Sequence, residues 1–238
     1  MKLTRIRMKL SGLLLSAMIL NTSIAYAEER DPWEGFNRRI FAFNEFVDKY
    51  LFKPIAIVYN RVTPEPVDKS VTNVFDNLQD VGICLNNALQ GKFKDASGDA
   101  GRFLINSTLG VAGLFDVATR MGLDKNEEDF GQTFGRWQIG SGPYLVLPLL
   151  GPSTVRDAIG RIPDAYAMPQ RYIDHVPTRN SVYGVDLLDT RADLLKAEEL
   201  IQGDKYTFIR DVYLQRRDFL VADGAIEDDF TSEDLEDE

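Results

Sequence analysis

The chain has 238 residues, 44% of them hydrophobic and 27% charged, with one histidine, one cysteine and a formal net charge of −10. That length supports one sizeable globular domain with its own core, or one domain and an appendage. A lone His175 and a lone Cys84 exclude a His/Cys metal cluster and an internal disulfide, and the acidic balance excludes nucleic acid or an anionic membrane as charge-driven partners.

Lys2, Arg5, Arg7 and Lys9 precede an apolar run from Leu13 to Leu20, and Ala25-Tyr26-Ala27 has the small-x-small form that a signal peptidase reads. Residues 1–27 therefore read as an export signal, with the mature chain starting near Glu28, outside the cytoplasm. Without those residues 23 basic side chains face 37 acidic ones, a formal −14. No later stretch reaches the about 20 apolar residues of a spanning helix. Membrane contact would then be peripheral or partly inserted, and would run on apolar and aromatic surface.

Residues 34–52 repeat apolar side chains at Phe36, Ile40, Phe43, Val47 and Tyr50/Leu51, a helical stripe. Phe41, Phe46 and Phe52 widen it, and Pro54 is expected to end the helix. Two readings of this aromatic helix stand open, a buried core helix and a helix lying in a bilayer interface. A second helix is expected over 66–90, where Val67, Val71, Val74, Leu78, Val81, Leu85 and Leu89 recur at steps of three and four before Gly91. Cys84 lies in that run and reads as a small buried hydrophobe. Residues 93–123 keep a helical period but carry Gly98, Gly101, Gly110 and Gly113, as either close helix approaches or bends.

Residues 130–160 are punctuated by Gly131, Gly135, Gly140, Gly142 and Gly151 with Pro143, Pro148 and Pro152 around Tyr144-Leu145-Val146-Leu147 and Leu149-Leu150, and read as partly extended. A helix should restart at Ser153 with Pro152 near its first turn and Arg156 and Asp157 facing outward. Two more helices are expected over 179–202, with Val182, Val185, Leu188, Leu195 and Leu200 inward, and over 204–222. In the second, Tyr206, Ile209, Val212, Tyr213, Phe219 and Leu220 form the apolar set, and Asp204 caps the start. Residues 225–238 are densely acidic and read as a disordered, solvated tail.

A search for chemistry returns little. There is no G-x-S-x-G elbow and no Gly-Lys-Ser/Thr phosphate loop, and Glu127, Glu128 and Asp129 read as a solvated acidic face. His175, between Asp174 and Val176-Pro177, reads as a surface or capping histidine. The residues themselves give an all-α single domain (28–224) with no catalytic residues, no metal and no cofactor. A hydrolase and a non-catalytic scaffold whose apolar patches dock partners are the competing readings.

Three stretches then become informative together: Asp31-Pro32-Trp33-Glu34-Gly35-Phe36-Asn37-Arg38; Arg102-Phe103-Leu104-Ile105-Asn106-Ser107-Thr108-Leu109-Gly110; and Phe130-Gly131-Gln132-Thr133-Phe134-Gly135 running on to Gly142-Pro143-Tyr144-Leu145-Val146-Leu147-Pro148 and Gly151-Pro152-Ser153-Thr154-Val155-Arg156-Asp157. Their order and spacing resemble the MlaA (VacJ) family of outer-membrane phospholipid-transport proteins. The resemblance implies helices in a ring around an amphipathic channel, set in the inner leaflet of the outer membrane. It implies removal of mislocalised phospholipids from the outer leaflet, delivery to a periplasmic lipid carrier, and work beside trimeric porins.

On that basis Leu145, Val146, Leu147, Leu149 and Leu150 are the first candidates for a lipid-contacting wall, and Phe41, Phe43 and Asn44 the second. The bland alternative for both sets is core packing. One departure is clear: the family is usually lipid-anchored through an N-terminal cysteine, whereas here the region reads Ile24-Ala25-Tyr26-Ala27-Glu28. The expectation is cleavage after Ala27 and retention at the periplasmic face of the outer membrane by apolar surface and porin partners.

Overall fold

The structure is a computed structural model describing residues 30–198 and 201–225. The export signal, Leu200 and the acidic tail beyond Ala225 lie outside the described residues. Helix α1 (Glu34–Val47) does not stop before Pro54, as the sequence suggested. It widens into a single π-turn (Asp48–Phe52), where the Lys53 amide donates to the Asp48 carbonyl, and continues as α2 (Lys53–Val62). Pro54 falls in the first turn of α2, where a missing N–H and a fixed φ are tolerated.

Helix α3 (Glu65–Leu89) and helix α4 (Phe93–Thr108) pack along each other across a short turn. The turn after α4 needs its glycines. A Cβ on Gly110 would lie 2.2 Å from the Phe115 carbonyl oxygen, and Gly113 has φ +89° against Asn77. Short helices α5 (Val117–Arg120) and α6 (Phe130–Arg136) start on aspartates, with Asp116 accepting from the Thr119 amide and Asp129 from the Gln132 amide.

The punctuated segment forms the one piece of sheet among the described residues. Strand β1 (Tyr144–Leu147) pairs antiparallel with β2 (Gly151–Thr154), Tyr144 opposite Thr154. The fold is otherwise helical. The expected helix start at Ser153 is corrected by this pairing: α7 (Val155–Ala167) begins two residues later, with the Thr154 hydroxyl accepting from the Asp157 amide. Arg156 and Asp157 are buried, not outward, because Asp157 binds Arg217 and Tyr213 in the interior. After a 3-10 turn (Pro169–Tyr172), α8 (Val176–Glu198) and α9 (Lys205–Val221) complete the chain.

The contacts close on themselves. Helix α2, continuous with α1, packs on α8, α8 touches α3, α3 touches α6, and α6 meets α9. Helix α9 then returns to the start of the chain through Arg38–Asp204 at 2.7 Å, Lys205–Glu45 at 2.7 Å and Tyr206–Asp31 at 2.5 Å.

The helices face the opposite way from ordinary globular helices. Among the described residues nineteen polar or charged side chains are buried against ten hydrophobic ones. The buried face of α3 is Phe75, Asn77, Asp80, Gly82, Ile83, Asn86 and Asn87, while Val67, Leu85 and Leu89 of its apolar stripe are exposed. Cys84 is half-buried, short of the expected full burial. In α8 the inward residues are Asp189 and Ala192, and Val185 is exposed; in α9, Val212 and Phe219 are exposed. The reason is the same each time: polar and charged groups occupy the interior, so much of the apolar stripe is left outside.

Candidate functional site

The eight sequence candidates divide by position. Phe41 and Val146 belong to the small apolar core, Val146 at 1% exposure and Phe41 against the edge of the Tyr206 ring at 5.5 Å. Leu145 and Leu147 are half-buried on β1. Phe43, Leu149 and Leu150 are exposed apolar side chains.

Asn44 has a role of its own. Its amide donates to the Leu147 carbonyl at 2.9 Å and accepts from the Leu149 amide at 2.8 Å. Two turns earlier, buried Asn37 does the same to Tyr144 and Val146, at 3.0 and 2.9 Å. The two asparagines share one helix face and bind β1 as a neighbouring strand would, so the structure brings both candidate sets together. Asn44 thereby holds Leu149 at φ +62°, the left-handed region that a leucine enters only at a cost. The hairpin tip presents Leu149 and Leu150 outward as a result.

That tip continues a broad apolar surface. Along α1 and the π-turn, Phe36, Phe43, Phe46 and Tyr50 are exposed, Phe46 at 62% and Tyr50 at 65%, and Ile55, Val58 and Val62 extend the surface along α2. An exposed apolar patch of this breadth marks contact with a membrane or a partner. Among the described residues no helix is long and apolar enough to cross a membrane.

Inside, charge replaces apolar packing. Asp31 accepts from Asn37 at 2.8 Å and Tyr206 at 2.5 Å, and burial plus this hydrogen bond push the Tyr206 phenol well above its usual range. Asp80 is fully buried beside Arg102 at 3.3 Å, and burial, opposed by the Arg102 charge, pushes its carboxyl up to about 6. Arg102 also donates to the Leu123 carbonyl and Thr119, and Asn106 accepts from the Val117 and Ala118 amides, so this pair pins α5. Burial also pushes against ionisation of Asp157, but Arg217, Tyr213 and Arg156 outweigh it and hold the carboxyl below its ordinary value.

Between α3, α6, α7 and α9 lies a cleft of about 760 Å³ whose lining mixes charged residues, Asp76, Lys125, Asp129, Asp164, Arg216 and Arg217 among them, with apolar ones such as Ile83 and Leu220. Against it lies a groove of about 420 Å³ lined by Leu85, Phe130, Ile162, Pro163, Tyr166 and Ala167. Adjacent residues divide between the two. Asp129 and Asp164 line the cleft, Phe130 and Pro163 the groove, and the Phe130 amide donates to Asp164 at 3.0 Å. The wall is thin because α6 and α7 meet at glycines: a Cβ on Gly160 would lie 2.6 Å from the Gly131 nitrogen. None of the eight sequence candidates lines either cavity.

The candidates for other chemistry stay scattered. His175 is exposed and hydrogen-bonded with Thr178 at 2.7 Å. Among the described residues no group of three or more His, Cys, Asp or Glu side chains is placed to hold a metal.

Residues 29–220 match the model of a family described as MlaA lipoprotein. The chain belongs to the MlaA lipoprotein family. It is 30% identical over 230 residues to the intermembrane phospholipid transport system lipoprotein MlaA of Escherichia coli K12, covering 92% of this chain and 91% of that one. The protein of the same name from Haemophilus influenzae is 32% identical over 226 residues, with 90% of each chain covered. An uncharacterized Rickettsia bellii protein is 35% identical over 195 residues, 80% of this chain and 76% of its own. A solved structure, from work on the structural basis for maintenance of bacterial outer membrane lipid asymmetry, superposes with a TM-score of 0.71 at 34% identity. It covers 80% of this chain and 98% of that one.

The MlaA-like motifs prove to be the buried polar joints: Asp31 and Asn37 in the first, Arg102 and Asn106 in the second, Gln132, Thr133, Arg156 and Asp157 in the third. The sequence reading missed them by following apolar periodicity. A second stripe was available, since Asn77, Asp80, Cys84 and Asn87 on α3, and Asp99, Arg102 and Asn106 on α4, also recur at helical spacing.

Proposed function

We propose that this chain is the outer-membrane component of an intermembrane phospholipid transport system, moving mislocalised phospholipids out of the outer leaflet to a periplasmic lipid carrier without catalysing a reaction. The observation that carries this reading is the charge-bearing cleft lying back to back with an open apolar groove in a molecule with broad exposed apolar helix faces. A phospholipid has the same division, a charged headgroup on apolar tails. Each buried methylene of a tail contributes about 0.8 kcal/mol, so an open groove holds a chain without trapping it.

The helix circuit is the ring, and the cleft within it the headgroup path. Phe43, Leu149 and Leu150, with the apolar face of α1 and α2, seat the ring in the inner leaflet beside a trimeric porin. Phe41, Asn44, Leu145, Val146 and Leu147 hold the hairpin that carries this surface.

The test is lipid recovery. The protein purified from outer membranes in mild detergent should carry phospholipid at near-stoichiometric amount by mass spectrometry. Cells lacking it should accumulate phospholipid in the outer leaflet, and Leu149→Asp with Leu150→Asp should fail to restore asymmetry. A lipid-free protein with no effect on asymmetry would leave a scaffold that only docks partners.

A further inference from the structure

Given that phospholipid reading, we infer that the apolar groove is a lipid subsite in its own right, holding one acyl chain with the lipid's phosphate on Arg171. The groove lies between α3, α6 and α7, and Tyr166, near the end of α7, carries the only polar side-chain atom among its six lining residues. A peptide segment laid there would bury backbone N–H and C=O groups against side chains that leave nearly all of them unpaired. A hydrocarbon chain has no such groups. Size points the same way. An apolar cavity of about 150 Å³ takes one six-carbon ring, so on that scale the groove of about 420 Å³ takes about seventeen carbons, one acyl chain and not two.

A cation stands at the rim. The guanidinium of Arg171, on the 3-10 turn after α7, lies 3.9 Å from the centre of the Tyr166 ring. The Tyr172 hydroxyl donates to the Tyr166 carbonyl at 2.8 Å and ties that turn back to the helix. Arg171 is exposed, and among the described residues its guanidinium is in no ion pair. A guanidinium laid over a ring keeps its N–H edge open, and that edge fits two oxygens of a phosphate. The cleft's arginines, by contrast, already hold carboxylates, Arg216 that of Glu127 and Arg217 those of Asp129 and Asp157. An exposed, unpaired cation beside an apolar groove matches an amphiphile with an anionic head on one tail. The second chain of a diacyl lipid then stays outside the groove.

The test is photocrosslinking. The protein in dodecyl maltoside receives phosphatidylcholine with a diazirine midway along one chain, is illuminated and digested, and the adducts are mapped by mass spectrometry. Adducts should fall on Leu85, Ile162 or Tyr166, and lysophosphatidylcholine, with its single chain, should displace them as well as unlabelled diacyl lipid does. Arg171→Gln should cut groove adducts about three-fold relative to those on the α1 face, the order of an exposed charge contact, while Arg171→Lys should keep most of them. Both variants change an exposed side chain, so the fold is not at stake. Adducts that only the diacyl lipid displaces overturn the one-chain fit. Groove adducts indifferent to Arg171→Gln overturn the phosphate contact. Adducts confined to the α1 face overturn the subsite and leave the groove to a protein partner, with phospholipid binding intact; a protein without any adduct overturns both readings.

Discussion

Asp80 and Arg102 show what a polar interior costs and why it has a pH signature. The ion pair is within 3.3 Å, yet both Asp80 oxygens and Arg102 Nε lack a hydrogen-bond partner in the protein. Desolvation therefore outweighs attraction, and the carboxyl titrates at about 6, above its ordinary 3.8. Asp164 is raised to about 6 by burial in the same way. A carboxyl raised by folding favours the native state below its unfolded value and loses that contribution as pH rises through the folded one. Stability should thus rise as pH falls from about 7.5 to 5, by on the order of 2 kcal/mol for Asp80. Below about pH 4 the trend should reverse, as Asp157 and Asp116, both held low in the fold, are protonated. Urea midpoints across pH test this, and Asp80→Asn should flatten the rise between pH 7.5 and 5. An unchanged slope in that variant would mean that Asp80 is not the group responsible.

At the scale of elements, helix positions were legible and their orientation only in part, as in α9, where Tyr206 is buried as expected but Val212 and Phe219 are exposed. Apolar residues at steps of three and four located α3, α8 and α9 to within a few residues because the backbone period is fixed whichever side faces in. Which face is buried depends on what the neighbours offer, and here they offer Asn, Asp and Arg. Pro54 misled for a local reason, since a π-turn places it at the start of a helix instead of the interior. The hairpin was legible only as an extended segment, because its third partner is a pair of asparagine side chains on α1.

The glycine-rich text had two meanings that spacing could not separate. Gly110 and Gly113 make a turn, while Gly131 and Gly160 let two helices touch backbone to backbone. Gly160→Ala should therefore destabilise by about 2 kcal/mol or more, since its clash is with main chain that cannot swing away. Gly35→Ala, with open space around the new Cβ, should be neutral or stabilising by about 0.5–1 kcal/mol through helix propensity. Thermal unfolding of the two variants in one detergent separates these outcomes, and equal losses would count against a backbone contact at Gly131.

For the molecule as a whole, charge and apolar surface make opposite demands on where it resides. The acidic balance gives no electrostatic pull toward anionic headgroups, whereas the exposed aromatic face of α1 and the π-turn offers an apolar one. Attachment of that kind resists salt, because apolar burial is not screened. Phe46 and Tyr50 pack on each other at 4.8 Å between ring centroids at the most exposed part of this face. Replacing both by aspartate removes two anchors worth about 2 kcal/mol each, roughly a thousand-fold in partition. The interior is untouched by the change, since neither ring contributes to the buried network. The doubly substituted protein should therefore fold, by its far-UV circular dichroism, yet leave the membrane fraction in a buffer wash that retains the unmodified chain. Breaking the exposed Glu65–Lys69 pair with Lys69→Ala provides the matched control, since that ion pair sits on a solvated helix start and should alter neither retention nor fold. If the aspartate variant stays membrane-bound, another surface carries the attachment, and the hairpin tip at Leu149 and Leu150 becomes the place to substitute next.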